Sequence, residues 1–339
     1  MTQFPGGWSH WLTVCLLLLA PALSGATERQ NIKVLAAFRE VVAAPAKSTV
    51  QIYCDGYTTG LGTIVDPAGY LVTKASELTG KIECQLNTNA KKYEATVVGR
   101  DPALDLAVLK IDAKDLPAIA WSEGESPAVG SWLVSPAPER MPVPVVIGVL
   151  SVSPRRIAAP PGALGIELTD PDNPTKIIGV RSNSPAQKAG MEAGDVIMKV
   201  NGKVVTTNQE LVLTIRSYQP GEKVELLIKR GDQELTKTAV LGTLAKLFHE
   251  DGEDRAEFQN QLGGQLSERR GGFPSVIQHD SVLKPSECGG PLVDLDGKAV
   301  GINIARAGRV ETFALPSSVV REAVKKMLET HHTSTGVER

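Results

Sequence analysis

The sequence has few aromatic residues, few histidines and almost no excess charge. Of its 339 residues, 4% are aromatic and five are histidines, and the formal net charge is −2. A charge this small gives no reason to expect nucleic acid or an anionic membrane surface as a partner. Scarce aromatics, together with 32 glycines and 22 prolines, favour many short strands and turns over a helical bundle.

Cysteine is also scarce, and nothing in the sequence clusters His, Cys and carboxylates at metal-binding spacing, so we expect no metal and no other cofactor. An apolar run, WLTVCLLLLAPAL (11–23), precedes the small residues SGA. This pattern predicts a secretory signal peptide over residues 1–26. The run is too short for a comfortable transmembrane helix. We therefore expect a periplasmic or otherwise exported protein with no membrane span after cleavage.

Three cysteines remain after the predicted signal peptide. Cys54 lies in VQIYC and Cys84 in KIECQL, each in phase with the inward-facing residues of an alternating strand. If these strands pair, a disulfide is feasible in an oxidising compartment. The alternative is a pair of buried free thiols that act as small apolar residues. Cys288 has no partner in either case.

Two series of predicted strands surround a segment of different pattern. From Ser48, six short alternating stretches separated by Gly and Pro turns predict a small closed antiparallel barrel. A second series opens at Gly130, stops after two strands and resumes at Phe273, which indicates a second barrel split by an insertion. The inserted segment, about eighty residues long, is large enough for its own core.

The chain is long enough for two or three modules. We predict a signal peptide (1–26), an N-terminal helix (27–47), a first barrel (48–122), a split second barrel with a closing helix (123–157 and 273–329), an inserted domain (158–243), a charged connector (244–272) that is mobile or exposed, and a polar tail (330–339).

The stretch PSECGGPLVDLDGKAVGINI (285–304) carries the strongest chemical signal. A cysteine and two glycines lead into an alternating run whose centre, Asp294 to Gly297, is typical of a hairpin turn. A side chain on a Gly-rich turn at the mouth of a hairpin is well placed for a nucleophile. Cys288 is therefore the candidate nucleophile.

Several stretches, in order along the chain, resemble the HtrA/Deg peptidases, which are exported serine proteases of the trypsin fold. The inserted segment, with ALGIEL (163–168) and SPAQKAGMEAGDVIMKVNGKVV (184–205), resembles a PDZ domain. The resemblance implies a mostly β fold in which a PDZ domain is inserted into the second of two six-stranded trypsin-like barrels, whereas typical members carry PDZ domains after the protease domain. The protease-like stretches are GLGTIVDPAGYLVT (60–73), DPALDLAVLKI (101–111), IGVLSVSP (147–154), VIQHDSVLKPSECGGPLVDLDGKAVGIN (276–303) and FALPSSVV (313–320).

The resemblance also assigns roles at the protease site, where the family uses an Asp-His-Ser set. Asp105 matches the Asp position, and Cys288 stands at the nucleophile position. Ser76, in LVTKASEL, stands where the family has its histidine. The oxyanion hole corresponds to Ser286, Glu287 and Cys288, with Ser286 in place of a glycine that lets the backbone amide turn toward the oxyanion.

These departures argue against proteolysis. An unassisted thiol with a pKa near 8.5 is only a few per cent ionised at neutral pH, and a serine hydroxyl is too weakly basic to help. His279 is the histidine nearest to Cys288 in sequence, but we expect it to point away from the cleft. We expect Lys74 to be a solvated loop charge rather than a base. Loss of one oxyanion donor costs on the order of 10²–10³ in rate.

The PDZ resemblance implies capture of a peptide C terminus, which adds as a strand while loop amides receive its carboxylate. Arg155 and Arg156, just before the module, could attract that carboxylate or be solvated linker charges. The residues that match the binding loop and strand, followed by two that either line the apolar pocket or simply pack the core, are Ala163, Leu164, Gly165, Ile166, Leu211 and Ile215.

Three functional interpretations remain open from the sequence. The first is an exported HtrA/Deg-like pseudoprotease that acts in envelope protein quality control by binding peptide C termini or misfolded segments through the PDZ domain and the barrel cleft. The second is an active endopeptidase that uses Cys288 as its nucleophile. The third is a redox or covalent-attachment role for that thiol. The resemblance also makes a homo-oligomer possible.

Overall fold

The computed structural model of the protein describes residues 32–88, 91–124, 126–136, 145–168, 172–244 and 263–336. Within these ranges, none of the helices combines the length and the hydropathy needed to cross a bilayer. The predicted signal peptide lies outside the described residues, and so does the connector between residues 245 and 262.

Two short helices replace the single helix that we predicted near the N terminus. They are α1 (Ile32–Ala37) and α2 (Arg39–Val42), and a 3₁₀ turn follows over Pro45–Ser48. Phe38 separates the two helices with φ −94° and ψ 2°, outside helical geometry. The centroid of its ring lies 5.9 Å from that of Trp132. Phe38 therefore packs against the second barrel at the point where the helix is interrupted.

The first barrel is closed, with strand order β1-β2-β3-β6-β5-β4. Its interior contains alternate residues of the strands, as the period of two in the sequence requires. The six strands are β1 (Thr49–Cys54), β2 (Tyr57–Asp66), β3 (Tyr70–Lys74), β4 (Ile82–Leu86), β5 (Lys92–Asp101) and β6 (Leu106–Ile111).

The second barrel begins with β7 (Trp132–Pro136) and β8 (Val145–Ile157), and the chain then enters the inserted domain. That domain has its own buried core of apolar side chains. Its strands are β9 (Gly162–Ala163), β10 (Ile166–Glu167), β11 (Gly179–Val180), β12 (Val196–Val200), β13 (Lys203–Val204), β14 (Lys223–Arg230), β15 (Gln233–Val240) and β16 (Gly242–Thr243).

The described part of the inserted domain also contains two helices, α3 (Pro185–Lys188) and α4 (Asn208–Arg216). The N-cap of α4 is Thr207, whose side chain accepts from the Glu210 N–H, while the Glu210 carboxylate reaches back to the Thr207 N–H. This reciprocal capping box satisfies two amides that the first turn of a helix otherwise leaves unpaired.

The chain returns to the second barrel with β17 (Phe273–His279), β18 (Pro291–Val293), β19 (Ala299–Gly308) and β20 (Glu311–Pro316). The barrel closes in the order β17-β20-β19-β18-β7-β8. Phe273 pairs with Ile157, so the inserted domain leaves and rejoins the barrel at adjacent strand ends. An insertion between paired strand ends leaves the hydrogen bonds between the barrel strands intact. The predicted fold class is confirmed.

The closing helix α5 (Ser317–Gly336) is longer than predicted and includes residues that we assigned to a polar tail. The Thr330 hydroxyl donates to the Lys326 carbonyl, and the Thr333 hydroxyl donates to the Glu329 carbonyl. The His332 ring also packs edge-on against Tyr70 of the first barrel, with ring centroids 6.4 Å apart. The C-terminal end of α5 is thus helical although its sequence is polar, and it contacts the first barrel there.

Candidate active site

Cys288 directly follows a 3₁₀ turn (Pro285–Glu287), and two glycines separate it from the start of β18 at Pro291. Its side chain is fully buried, at 0% exposure. Gly289 follows with φ +93°, and a Cβ at this position would lie 1.9 Å from the Leu61 carbonyl oxygen. Only glycine fits this left-handed and crowded position, which explains the first glycine of the Cys-Gly-Gly motif.

The nucleophile loop is bonded directly to the first barrel. The Leu61 N–H on β2 donates to the Cys288 carbonyl at 2.8 Å, and the Thr63 hydroxyl donates to the Gly289 carbonyl at 3.1 Å. On the other side, the Gly289 N–H donates to the Asn303 carbonyl on β19 at 2.7 Å. Three bonds from two barrels therefore fix the conformation of the loop.

Two of the amides that we assigned to an oxyanion hole already have protein acceptors. The Glu287 N–H donates to the Lys284 carbonyl at 2.9 Å, and the Cys288 N–H donates to the Pro285 carbonyl at 3.1 Å. An oxyanion hole requires donors that point at the position the oxyanion will occupy. Both amides instead close the 3₁₀ turn that contains Ser286.

Ser76 contacts Asp105 where the resemblance places a histidine. The Ser76 hydroxyl donates to Asp105 Oδ2 at 2.9 Å, and the Ser76 N–H donates to Oδ1 at 2.7 Å. Asp105 is 1% exposed and has φ +57°, a left-handed conformation that Asp tolerates better than most residues. Burial raises the pKa of this carboxyl, while Lys74, the Ser76 hydrogen bonds and Arg269 oppose the rise.

Lys74 is not the solvated loop charge that we expected. It is the last residue of β3, only 3% exposed, and its Nζ lies 2.6 Å from Glu77 Oε1. Its charge acts on both Asp105 and Cys288, lowering the pKa of each against the effect of burial. The expectation was wrong because β3 continues through Lys74 into the barrel junction, where a buried ammonium requires a carboxylate partner.

The thiol of Cys288 is neutral at physiological pH. Burial raises its pKa to about 12, although Lys74 and the hydroxyl of Ser267 favour the thiolate. The sulfur lies 3.8 Å from the Lys284 carbonyl and hydrogen-bonds the Ser267 side chain. Because the thiolate is the nucleophilic form of cysteine, this environment holds the residue in its unreactive form.

His279 lies inside the second barrel, fully buried. Its Nε2 is 2.9 Å from Asn303 Oδ1, and the Asn303 amide group donates to the Ser135 hydroxyl at 3.0 Å and to the Pro291 carbonyl at 3.3 Å. Since the amide nitrogen is the donor in those two bonds, its oxygen accepts from His279 Nε2–H. Burial lowers the histidine pKa to about 4, so it stays neutral.

Cys54 and Cys84 are both buried, and both are free thiols in this structure. The antiparallel register pairs Cys84 with Ile52 and Cys54 with Ile82, so the cysteines are diagonal neighbours rather than directly opposite. Diagonal positions are about 7–8 Å apart, beyond the usual Cα separation of a disulfide. Burial, with Cys54 nearby, raises the pKa of Cys84 to about 12.

The inserted domain contains a cavity of about 180 Å³ between the β9–β10 segment and α4. Leu211 and Ile215 line it and are also core residues, at 1% and 6% exposure, so they serve both of the roles that we considered for them. The predicted binding segment lies along the same cavity, with Ala163, Leu164, Gly165 and Ile166 in its wall.

Arg155 and Arg156 lie on β8, so they are strand residues rather than linker residues. Arg155 binds Gln278 Oε1 at 2.5 Å and lies 3.6 Å from a Glu311 oxygen, which places it on the second barrel. Two other cations line the peptide cavity, Arg216 and Arg181, and the Arg181 guanidinium lies 3.5 Å from a Glu167 oxygen. No group of three or more His, Cys, Asp or Glu side chains within the described ranges could hold a metal ion.

Sequence reasoning missed three residues of the protease-like site. Ser267, Arg306 and Arg269 all interact electrostatically with Cys288 or Asp105, and Ser267 comes from the segment that we described as a mobile connector. One feature of the sequence could have distinguished this segment from the rest of the connector: a pair of glycines stands at each end of GGQLSERRGG (263–272).

Known proteins resemble both the inserted domain and the protease-like part of this chain. Residues 162–241 match the PDZ domain family. A probable periplasmic serine endoprotease, DegP-like, from Chlamydia pneumoniae is 39% identical over 28% of the chain and 20% of its own length. A protein of the same description from Ectopseudomonas mendocina is 22% identical over 64% of the chain and 62% of its own length.

The chain thus spans less than two thirds of the length of these two relatives. Among solved structures, the serine endoprotease from Yersinia pestis matches 61% of the chain and 98% of its own chain, with 21% identity and a TM-score of 0.32.

Proposed function

We propose that this chain is an exported, HtrA/Deg-like pseudoprotease with a PDZ domain, and that it binds polypeptides in envelope quality control. The observation that carries the proposal is the Ser76–Asp105 pair. In a working triad, the Asp orients a histidine that takes the proton of the nucleophile. Here both carboxylate oxygens accept from Ser76, and a hydroxyl cannot act as a general base at neutral pH.

Two further features support loss of catalysis. The Cys288 thiol has its pKa raised to about 12 by burial, and the Cys288 N–H donates to the Pro285 carbonyl rather than toward an oxyanion. Removal of one oxyanion donor alone costs on the order of 10²–10³ in rate. The missing base adds to that loss, so the site lacks an activated nucleophile and part of its electrostatic stabilisation.

The retained activity is capture of peptide C termini by the PDZ domain. The cavity beside β10 is bordered by Leu164, Ile166, Leu211 and Ile215, which suits an apolar final side chain. Gly165, with φ +77°, lies in the loop that precedes the strand. A peptide that adds beside β10 would place its carboxylate at this loop, the usual mode of recognition for the domain.

The test of peptide capture uses paired ligands. A library of peptides with free C termini is titrated into the mature protein, and each binder is repeated as the C-terminal amide. We expect apolar-ended peptides to bind with the free carboxylate and to lose binding when amidated. Equal affinity of both forms would contradict C-terminal capture.

The competing function is an endopeptidase that uses Cys288, and one observation favours it. The ammonium of Lys74 is buried close enough to favour the thiolate of Cys288, which is how a lysine would assist a cysteine nucleophile. Casein digestion by the parent and by Cys288→Ala separates the two functions. We expect no cleavage by either protein, and cleavage that disappears in the variant would overturn the pseudoprotease.

A further inference from the structure

The wall that α4 contributes to the PDZ cavity has two stripes of side chains. Residues four apart on a helix lie on the same face, so Leu211 and Ile215 form one stripe. Val212 and Arg216 form the second stripe, one residue further round the helix. Both stripes line the cavity, but the first is buried, whereas Val212 is half-buried and Arg216 is exposed. The first stripe is therefore the floor of the groove, and the second is its outer rim.

The direction of α4 places Arg216 near the loop that receives the peptide carboxylate in the proposed binding mode. At the start of the helix, the side-chain amide of Asn208 donates to the Leu168 carbonyl, just after β10, at 3.2 Å. Just beyond the end of the helix, the Tyr218 carbonyl accepts from the Gly162 N–H on β9 at 2.9 Å. The helix thus runs antiparallel to the β9–β10 segment, and Arg216 in its last turn lies beside the final residues of a bound peptide.

Arg181 borders the groove on the opposite wall. It directly follows β11 and lines the cavity, and its guanidinium lies 3.5 Å from an oxygen of Glu167 on β10. The side chains of Ile166 and Leu168 line the cavity. Since side chains alternate along an extended chain, that of Glu167, between them, points to the other face. The Arg181 guanidinium therefore lies at the outer rim as well, across the groove from Arg216.

The two arginines give the rim a positive charge that the cavity lining does not balance. Among the described residues that line the cavity, none is an aspartate or a glutamate. Glu167 pairs with Arg181, but both side chains are about a third exposed or more, and an exposed ion pair contributes little. Within the described ranges, Arg216 has no carboxylate at ion-pair distance. A negatively charged side chain of the ligand would supply the missing counter-charge.

The alternation of an added strand decides which ligand side chain meets the rim. In the proposed binding mode, the final apolar side chain enters the cavity, and backbone amides of the loop before β10 receive the terminal carboxylate. The penultimate side chain then points to the opposite face of the peptide strand, away from the floor. It lies between Arg181 and Arg216, whose guanidinium groups are not needed for the terminal carboxylate.

We infer that the PDZ domain selects peptides whose penultimate residue is acidic, and that Arg216 and Arg181 determine this specificity. The inference rests on the proposed capture of peptide C termini and names the class of ligand. The partner is a polypeptide that ends in an acidic residue followed by an apolar one. A lysine or arginine at the penultimate position is rejected, because it would meet two like charges.

Decapeptides that differ only at the penultimate position measure this selectivity. Each is labelled with fluorescein, consists otherwise of glycine, serine and alanine, ends in valine with a free carboxylate and carries Glu, Gln or Lys before that valine. Fluorescence anisotropy at low ionic strength, where exposed charges are least screened, gives the dissociation constants with the mature protein. We expect the Glu peptide to bind about threefold to fivefold more tightly than the Gln peptide, and the Lys peptide to bind most weakly. Equal affinities of the three would overturn the inference.

Charge reversal at the rim assigns the selectivity to Arg216. In Arg216→Glu the order should invert, with the Lys peptide tightest, because two carboxylates then face the single guanidinium of Arg181. Arg216→Gln should lose most of the selectivity, and it replaces the reversal variant if that variant does not fold. Lys223→Gln removes one charge at an exposed position outside the cavity and should keep the order of the parent. An order that stays unchanged in the Arg216 variants would overturn the inference.

Amidated forms of the same peptides separate this inference from C-terminal capture itself. Equal binding of the free and amidated forms would contradict capture of the carboxylate, and the inference with it. Loss of binding on amidation without any preference at the penultimate position would overturn the inference alone. Weakening of all three peptides by the same factor in Arg216→Gln would show that Arg216 binds the terminal carboxylate instead, which would also overturn it.

Discussion

Ser76 donates two hydrogen bonds to the carboxylate of Asp105, one from its hydroxyl at 2.9 Å and one from its backbone N–H at 2.7 Å. Both carboxylate oxygens of Asp105 therefore accept from the same residue, and the two residues form a closed pair. Asp105 also accepts, through its own carbonyl, from the Ala75 N–H at 2.8 Å. Asp105 thus fixes the loop after β3 whether or not any proton is transferred.

Substitutions at Asp105 should separate a structural role from a catalytic one. Asp105→Asn keeps a polar side chain that tolerates positive φ and can still accept from Ser76, so we expect a loss of less than about 1 kcal/mol in unfolding free energy. Asp105→Ala removes both acceptors and adds strain, with an expected loss of about 2–4 kcal/mol. Urea unfolding measures both values. An equally large loss in the two variants would contradict the structural role.

Restoring the family's side chains should not restore proteolysis. We expect the double variant Ser76→His/Cys288→Ser to leave casein uncleaved, because the Cys288 backbone N–H donates to the Pro285 carbonyl and Ser267 still covers the site. The triple variant with Asp105→Ala is the matched control for background cleavage. Casein cleavage by the double variant above that background would show that the oxyanion hole forms on demand.

The buried His279 predicts a pH-dependent stability. Its pKa is about 4 in the folded protein and about 6.5 in an unfolded chain, so the unfolded state binds more protons between these values. Stability should therefore fall as the pH drops from 6.5 toward 4, by on the order of 3 kcal/mol from this residue.

Replacing His279 tests this prediction. His279→Gln keeps a donor for Asn303 and does not titrate, so its unfolding free energy should depend less on pH between 4 and 6.5 than that of the parent. His332→Gln, at an exposed position on α5, is the control and should retain the pH dependence of the parent. Parallel pH profiles for the parent and His279→Gln would contradict the assignment.

Two positions on α4 should distinguish the peptide pocket from the rest of the helix. Ile215→Ala enlarges the apolar cavity and should weaken binding of an apolar-ended peptide by about tenfold, since about two buried methylenes of contact are lost. Leu213→Ala lies on the same helix at 60% exposure and should bind normally. Isothermal titration with one peptide compares the two. Equal weakening in both variants would place the pocket elsewhere.

Much of the architecture could be read from local patterns. Alternation of period two predicted the six strands from Thr49 to Ile111, and the interruption after Ile157 predicted the inserted domain. Both predictions were possible because the face on which a strand residue lies, and the residue types that form a turn, depend on neighbours in the sequence. The break at Phe38 and the extension of α5 could not be read in this way. Each involves an aromatic contact, Phe38 with Trp132 and Tyr70 with His332, between residues far apart in sequence.

The site divides along the same line. The sequence by itself determined that a cysteine and a serine, Cys288 and Ser76, stand at two positions that the resemblance assigns to the protease site, and residue identity alone decides which proton transfers are available to them. Only the tertiary structure decided that Lys74 is buried, that the Cys288 amide is already bonded and that Ser267 covers the thiol. Burial and hydrogen-bond partners depend on which distant segments meet, and here Ser267 reaches Cys288 only because both barrels have closed around it.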